Sequence, residues 1–259
     1  MHLAAHALEH IESSPEAHFL EPAAGTGSFV SALKSHGFSN IIAIDKYPMG
    51  DGVSQADFLE WTAPTDNLIT ISNPPFGRNN ALSVPFFNHA AEFSSYIAFL
   101  VPRSWRKWSV QNRLHPNFHL LSDIDVSVQY EDSQGNKIVD RNDLRTCFQV
   151  WEKRVQTRAK VTVPNNGLLQ KSAPEEADIA IRVFGYGCGQ VMRSFPRVPN
   201  TTLMFLRVLD KSVLSLMDAL DYERFSNNTA YTKALSFPEI NYLLNREVFG
   251  DGFHEKLGG

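Results

Sequence analysis

The run Ile71-Ser72-Asn73-Pro74-Pro75-Phe76-Gly77-Arg78 places an amide, two prolines and an aromatic ring in one turn. Upstream, Asn67-Leu68-Ile69-Thr70-Ile71 reads as a buried strand. Neither proline can donate to a sheet ladder, so the strand ends at Asn73 with its side chain at the carboxyl edge. In an open parallel sheet that edge binds ligands. Taken alone, the run is equally a strand-ending Asn-Pro turn, and three further clusters bear on the choice. Glu21-Pro22-Ala23-Ala24-Gly25-Thr26-Gly27 joins a strand to a helix through two glycines that let backbone approach a ligand. The third glycine of a dinucleotide fingerprint is absent. Asp45, about 20 residues beyond the glycine turn, ends a second strand and would accept both hydroxyls of a ribose. Asp57 with Phe58 could bracket an adenine by hydrogen bond and ring contact, or be a helix cap and a core aromatic.

These residues need elements to hold them. A short helix is expected within residues 1–17, closed by Ser13-Ser14-Pro15, then a strand at residues 18–21 and a helix from Ser28 to about His36. Strands follow at residues 40–45, 53–56 and 67–71, a helix broken by Pro85 at residues 81–93, and an apolar strand at residues 96–101. Such alternation specifies an α/β fold, a parallel sheet with helices on both faces. An antiparallel pair at residues 118–128 and 147–151, with a polar turn at Glu131–Asn136 between, would complete the sheet.

The composition changes after Lys153, dividing the chain into a ligand-binding domain over residues 1–155 and a C-terminal extension over residues 156–259. Residues 157–177 read as a linker or loop. Strands are expected at residues 179–183 and 202–208 around the Gly185-Tyr186-Gly187-Cys188-Gly189 turn, and helices at residues 213–222 and 231–244, the latter interrupted by Pro238. No Lys-Ser/Thr follows the glycine run, so a tight turn is preferred to a phosphate loop.

Between Arg103 and Arg113 the chain carries Arg103, Arg106, Lys107, Arg113, Trp105 and Trp108, with no acid. Cations interleaved with aromatics suit phosphates and unstacked bases. The competing account is an amphipathic helix with its tryptophans in the core. Arg78, Arg103, Trp105, Arg106, Lys107 and Arg113 are the candidate nucleic-acid contacts. The chain has 43% hydrophobic and 20% charged residues, enough for one large core and an appendage. A net charge of −4 argues against indiscriminate polyanion binding, not against a local basic groove. No run approaches the ~18 apolar residues of a membrane span, and a cytoplasmic location is expected. Cys147 and Cys188 lack zinc-ligand spacing, so neither a disulfide nor a metal is expected.

In their order and at their strand ends, the glycine turn, Asp45, Asp57-Phe58 and Asn73-Pro74-Pro75-Phe76 resemble the S-adenosylmethionine-dependent amino-methyltransferases, most closely the N6-adenine group. The resemblance covers residues 18 to about 110. It implies a class I, Rossmann-like sheet of seven mostly parallel strands. It also implies S-adenosylmethionine held by Glu21, Pro22, Ala23, Gly25, Gly27, Asp45, Asp57, Phe58 and Asn73, with Asp45 on the ribose and Asp57 with Phe58 at the adenine. The catalytic candidates are Asn73, Pro74, Pro75 and Phe76. An exocyclic adenine amine is a poor nucleophile because its lone pair is delocalised. If the Asn73 side-chain oxygen and the Pro74 carbonyl each accept one amine hydrogen, the lone pair is freed toward the methyl donor, with Phe76 stacked on the base. A duplex substrate then implies base flipping. DNA is favoured as acceptor over RNA, with residues 156–259 the candidate target-recognition region. The other readings are an RNA adenine methyltransferase, a protein-glutamine methyltransferase, for which Tyr at the position of Phe76 is usual, and a non-catalytic nucleic-acid-binding subunit.

Overall fold

The computed structural model describes residues 2–128 and 144–250; the polar turn expected at Glu131–Asn136 lies outside the described residues. The chain divides into two compact units, the first ending at Arg158 and the second running from Ala159, with Arg106–Trp108 grouped with the second.

The first unit is a seven-stranded sheet of β1 (Phe19–Glu21), β2 (Ile41–Asp45), β3 (Ser54–Gln55), β4 (Leu68–Ser72), β5 (Ser94–Pro102), β6 (Phe118–Val126) and β7 (Thr146–Lys153), in the order β3-β2-β1-β4-β5-β7-β6. Strands β3 to β5 in that order pair in parallel, and β7 runs antiparallel to β5 and β6. This is the α/β sheet expected from the alternation, in the Rossmann-like, seven-stranded form that the resemblance implied. Three helices accompany it, α1 (His2–His10), α2 (Ser28–Ser35) and α3 (Ser83–Phe93), and a single helical turn, α4 (Trp108–Gln111), follows β5.

Alternation along β5 shows why both faces are covered. Ile97, Phe99 and Val101 join a core with Val84, Phe87 and Ala90 of α3. Ala98 and Leu100 point the other way, into a core with Ala4 and Ala7 of α1 and Ala32 and Leu33 of α2. Phe87 makes edge contacts with Phe99, Trp105, Phe118 and Trp151, at centroid distances of 5.4 to 5.9 Å. Burying such a ring contributes about 2–3 kcal/mol, and favourable ring pairs add about 1 kcal/mol each.

Pro85 does not break α3. The helix begins at Ser83, so Pro85 falls in the first turn, where a missing N–H costs nothing.

The second unit is an antiparallel sheet of β8 (Leu169–Lys171), β9 (Ile179–Arg182), β10 (Val191–Met192) and β11 (Leu203–Val208), ordered β10-β9-β11-β8. Strand β8 lies inside the segment expected to be a linker. The helix expected at residues 213–222 is instead a 3₁₀ turn over Lys211–Leu214 followed by turns. There the Asp210 side chain caps Ser212, and the Tyr222 hydroxyl donates to the Met217 carbonyl, which an α-helix would reserve for its own ladder. The chain then forms α5 (Glu223–Ser226) and α6 (Phe237–Phe249). Pro238 starts α6 rather than interrupting it. A reciprocal capping box of Ser236 and Glu239 precedes its apolar face. Gly185, Gly187 and Gly189 all have positive φ, which fits a tight turn.

Candidate functional site

The strand order reverses between β1 and β4. The chain goes out from β1 through β2 to β3, then returns to the other side of β1 as β4. At such a switch point the loops leaving the carboxyl ends part and open a crevice. Pro22 and Ala23 leave β1 there, and Asn73 and Pro75 leave β4. All four line a cavity of about 510 Å³, together with Asp45, Lys46 and Tyr47 beyond β2 and Asp57, Phe58 and Leu59 beyond β3. Leu82 and Phe86 complete the wall.

Below the crevice lies a buried carboxyl. Glu21, only 2% exposed, accepts a hydrogen bond from the Ala23 amide at 3.2 Å and one from the Ser72 hydroxyl of β4. Burial pushes its pKa up to about 8, against the opposing pull of those two donors. Ser72 immediately precedes Asn73, so this bond ties the two strand ends of the switch point together. The Asn73 side chain itself is exposed and makes no hydrogen bond among the described residues.

The glycine turn is fastened by Asp45. One carboxylate oxygen of Asp45 accepts from the Gly25 amide at 2.8 Å and the other from the Tyr47 amide at 2.7 Å. A carboxylate has about four acceptor positions, so about two remain for a ligand. The Met49 and Gly50 amides donate to the Gly25 carbonyl at 3.1 and 2.9 Å, folding residues 47–50 over the turn. Gly50 must be glycine, since a Cβ there would stand 2.6 Å from the Thr26 carbonyl oxygen. Gly25 and Gly27 adopt positive φ and do not line the cavity; they shape the turn while Pro22 and Ala23 face the crevice.

Asp57 and Lys46 form an ion pair at 2.8 Å on the cavity wall, which lowers the Asp57 pKa and raises that of Lys46. The Asp57 carboxylate also caps Leu59 at 3.2 Å. The pair is exposed, so it is worth little and is exchangeable for a ligand contact. Phe58 is 2% exposed and packs against Phe86, His89 and Phe93, so it is both core aromatic and cavity wall.

Beyond Asn73, Pro74 is buried and Phe76 half-buried, and neither lines the cavity. The Phe76 carbonyl accepts from the Leu82 and Ser83 amides at 3.2 and 3.3 Å, closing the loop onto the start of α3. Asn79 and Asn80 both take left-handed φ, and Asn80 is held by Ser104 at 3.1 Å. Lys46, Tyr47, Gly50, Leu59, Leu82 and Phe86 carry no motif that marks them as site residues in the sequence. The only positional signal is at Lys46 and Tyr47, following Asp45 directly, and at Leu59, following Phe58.

Of the two accounts of the basic stretch, burial of Trp105 favours the one that puts tryptophan in the core, and only Arg113 of its cations is exposed. Trp105 is fully buried and donates its indole N–H to Ser83 at 3.1 Å, so it cannot stack on a base. Lys107 donates to both carboxylate oxygens of Glu239 at 2.8 and 2.9 Å and to the Ala234 carbonyl at 3.2 Å, which uses all three ammonium protons. Arg103 pairs with Asp125 at 2.9 Å. Arg113 donates to the Ser109 and Asn79 carbonyls at 3.1 and 3.3 Å. Arg106 is half-buried. Arg78, two residues past Phe76, is exposed and without a partner among the described residues.

No family model matches the chain, and no curated protein sequence does. Among solved structures, it is similar to a Pyrococcus horikoshii protein described as a candidate RNA methyltransferase, at 18% identity over 60% of this chain and 82% of that one, with a TM-score of 0.45. It is also similar to TrmN from Thermus thermophilus, at 17% identity over 58% of this chain and 48% of that one, with a TM-score of 0.43. The third is the 23S rRNA methyltransferase ErmE, at 14% identity over 60% of this chain and 68% of that one, with a TM-score of 0.40. At these levels the fold assignment rests on the strand order itself. No helix among the described residues is long and apolar enough to cross a membrane.

Proposed function

We propose that this protein is an S-adenosylmethionine-dependent methyltransferase acting on the exocyclic N6 amine of adenine in nucleic acid, with DNA the first acceptor to test. One observation carries the reading. The unpartnered Asn73 amide opens into the same cavity as Asp45, Asp57 and Phe58, at the switch point of a Rossmann-like sheet.

The cavity suits a cationic nucleoside. Its wall is apolar at Phe58, Leu82, Phe86 and Pro22, for a purine face, and acidic at Asp45 and Asp57, for hydroxyls and an amine. Asp45 would hold the ribose with its spare acceptor positions, and Asp57 with Phe58 the adenine. Pro22 and Ala23 would pass beneath the amino-acid end, with the Gly25–Gly27 turn setting their course. When bound, S-adenosylmethionine supplies an already activated methyl group. The chain's own residues then orient the acceptor. The Asn73 oxygen and the Pro74 carbonyl each accept one hydrogen of the target amine, which frees its lone pair. Phe76 offers a ring face to the base. Transfer needs no prior deprotonation by a general base, and the proton leaves the methylated amine afterwards. Arg78 is the cation best placed along the chain to meet a backbone phosphate near that turn.

The test is transfer of labelled methyl from S-adenosylmethionine to genomic DNA, total RNA and total protein in parallel, with nucleoside analysis of the labelled fraction. N6-methyladenine in DNA supports the full reading, and the same nucleoside in RNA alone corrects the acceptor. Label confined to protein would transfer the amide clamp to glutamine. Binding of nucleic acid with no label in any fraction would make the protein a non-catalytic subunit.

A further inference from the structure

Helix α1 carries a second cluster of ligand-bearing side chains, which shares no residue with the cavity. His6, Glu9 and His10 stand at i, i+3 and i+4, a spacing that gathers them on one helical face. Each offers one ligand atom, and the three atoms lie within 4.8 Å of one another. The imidazole rings are 4.6 Å apart. His6 Nδ1 faces a Glu9 carboxylate oxygen at 3.9 Å, too long for a hydrogen bond between them.

One nitrogen of each ring has a hydrogen-bond partner, in a way that leaves the other nitrogen's lone pair open. His10 Nδ1 lies 2.9 Å from the His6 carbonyl oxygen, and since a carbonyl only accepts, Nδ1 carries the proton and Nε2 keeps its lone pair. His6 Nε2 is 2.7 Å from the Ser122 hydroxyl of β6, which can accept its proton and leave Nδ1 open toward Glu9. A hydrogen bond on the nitrogen opposite the ligating one is how metal-bound histidines are oriented. The helix is further fixed by burial of Ala4 and Ala7.

We propose that His6, Glu9 and His10 form a binding site for a divalent transition metal of the zinc class, with the remaining coordination left to water. Two imidazoles and one carboxylate suit zinc, cobalt or nickel and are poor for magnesium or calcium, which prefer all-oxygen shells. Ligand atoms around tetrahedral zinc stand about 3.3 Å apart, given bonds of about 2.0 to 2.1 Å. Side-chain rotation, with Glu9 exposed, must therefore draw the three together by up to about 1.5 Å. Cysteine spacing gives no sign of such a site, because this donor set uses no thiolate.

The test uses the full chain with no polyhistidine tag. Zinc is titrated while the unfolding temperature is followed, and cobalt while its visible absorption is followed. One equivalent of metal should raise the unfolding temperature and give cobalt ligand-field bands, and magnesium or calcium should do neither. Glu9→Gln and His10→Ala should each weaken binding at least about tenfold, and Ser122→Ala about tenfold through loss of the outer hydrogen bond. Glu9 is exposed, so Glu9→Gln keeps the test valid if the histidine variant unfolds. Absence of cobalt bands, or zinc stabilisation undiminished in both ligand variants, overturns the site.

Discussion

Glu21 at the end of β1 and Ser72 at the end of β4 are joined by a buried hydrogen bond, from the serine hydroxyl to the carboxyl. Because Asn73 follows Ser72, the protonation of Glu21 and the placement of the Asn73 amide are coupled through one residue. Folded Glu21 holds its proton up to about pH 8, whereas in the unfolded chain it releases it near 4.5. Between those values the folded state binds more protons, so this group's contribution to stability is full below pH 4.5 and is lost as pH rises through 8. The slope is at most about 1.4 kcal/mol per pH unit. Glu21→Gln should remove that slope, so denaturant midpoints of the variant and parent should converge or cross toward pH 9. Parallel pH profiles would show that Glu21 titrates alike in the folded and unfolded chain, with no raised pKa.

Asn73→Ala should lower methyl transfer by about 10² to 10³-fold, the loss typical of one preorganised polar contact to the reacting group. Affinity for S-adenosylmethionine should change little, because Asn73 is one of several cavity residues and its proposed work is on the acceptor. Equilibrium cofactor binding measured beside single-turnover transfer separates the two. Loss of cofactor affinity with normal transfer from bound complexes would reverse the assignment.

Gly50→Ala should disturb the cavity without touching it. The added Cβ would press on the Thr26 carbonyl at 2.6 Å and lift residues 47–50 from the glycine turn. Overpacking of this kind costs about 1–3 kcal/mol. The expected result is weaker cofactor binding together with a lower unfolding temperature, read by calorimetry and by ligand titration.

Most of the first unit was legible in the sequence because its strands are short apolar runs punctuated by glycine, proline and acids. Asn73, Asp45 and Asp57 could be placed at strand ends for that reason. Position in the chain did not reveal what else those groups hold. The engagement of Asp45 with the Gly25 and Tyr47 amides, and of Asp57 with Lys46, depends on loops whose course has no periodicity. The prolines misled for one physical reason. Pro85 and Pro238 read as breaks, but each sits in a first helical turn, where proline is tolerated. The two- and three-residue strands β10 and β8 are too short to show alternation.

The stretch from Arg103 to Arg113 gives the sharpest separation between composition and structure. Glu239 is nearly fully buried, and Lys107 and the α6 capping box share its oxygens. Lys107→Met should leave that carboxylate without its cation and destabilise the second unit by about 2–4 kcal/mol. The salt dependence of nucleic-acid binding should not change, because the ammonium is already consumed. Arg78→Ala should do the reverse, leaving the unfolding temperature intact and reducing the slope of log affinity against log salt by about one. Urea titration and salt-dependent binding of both variants decide it. A reduced salt slope in Lys107→Met with unaltered stability would restore the basic stretch as a nucleic-acid contact.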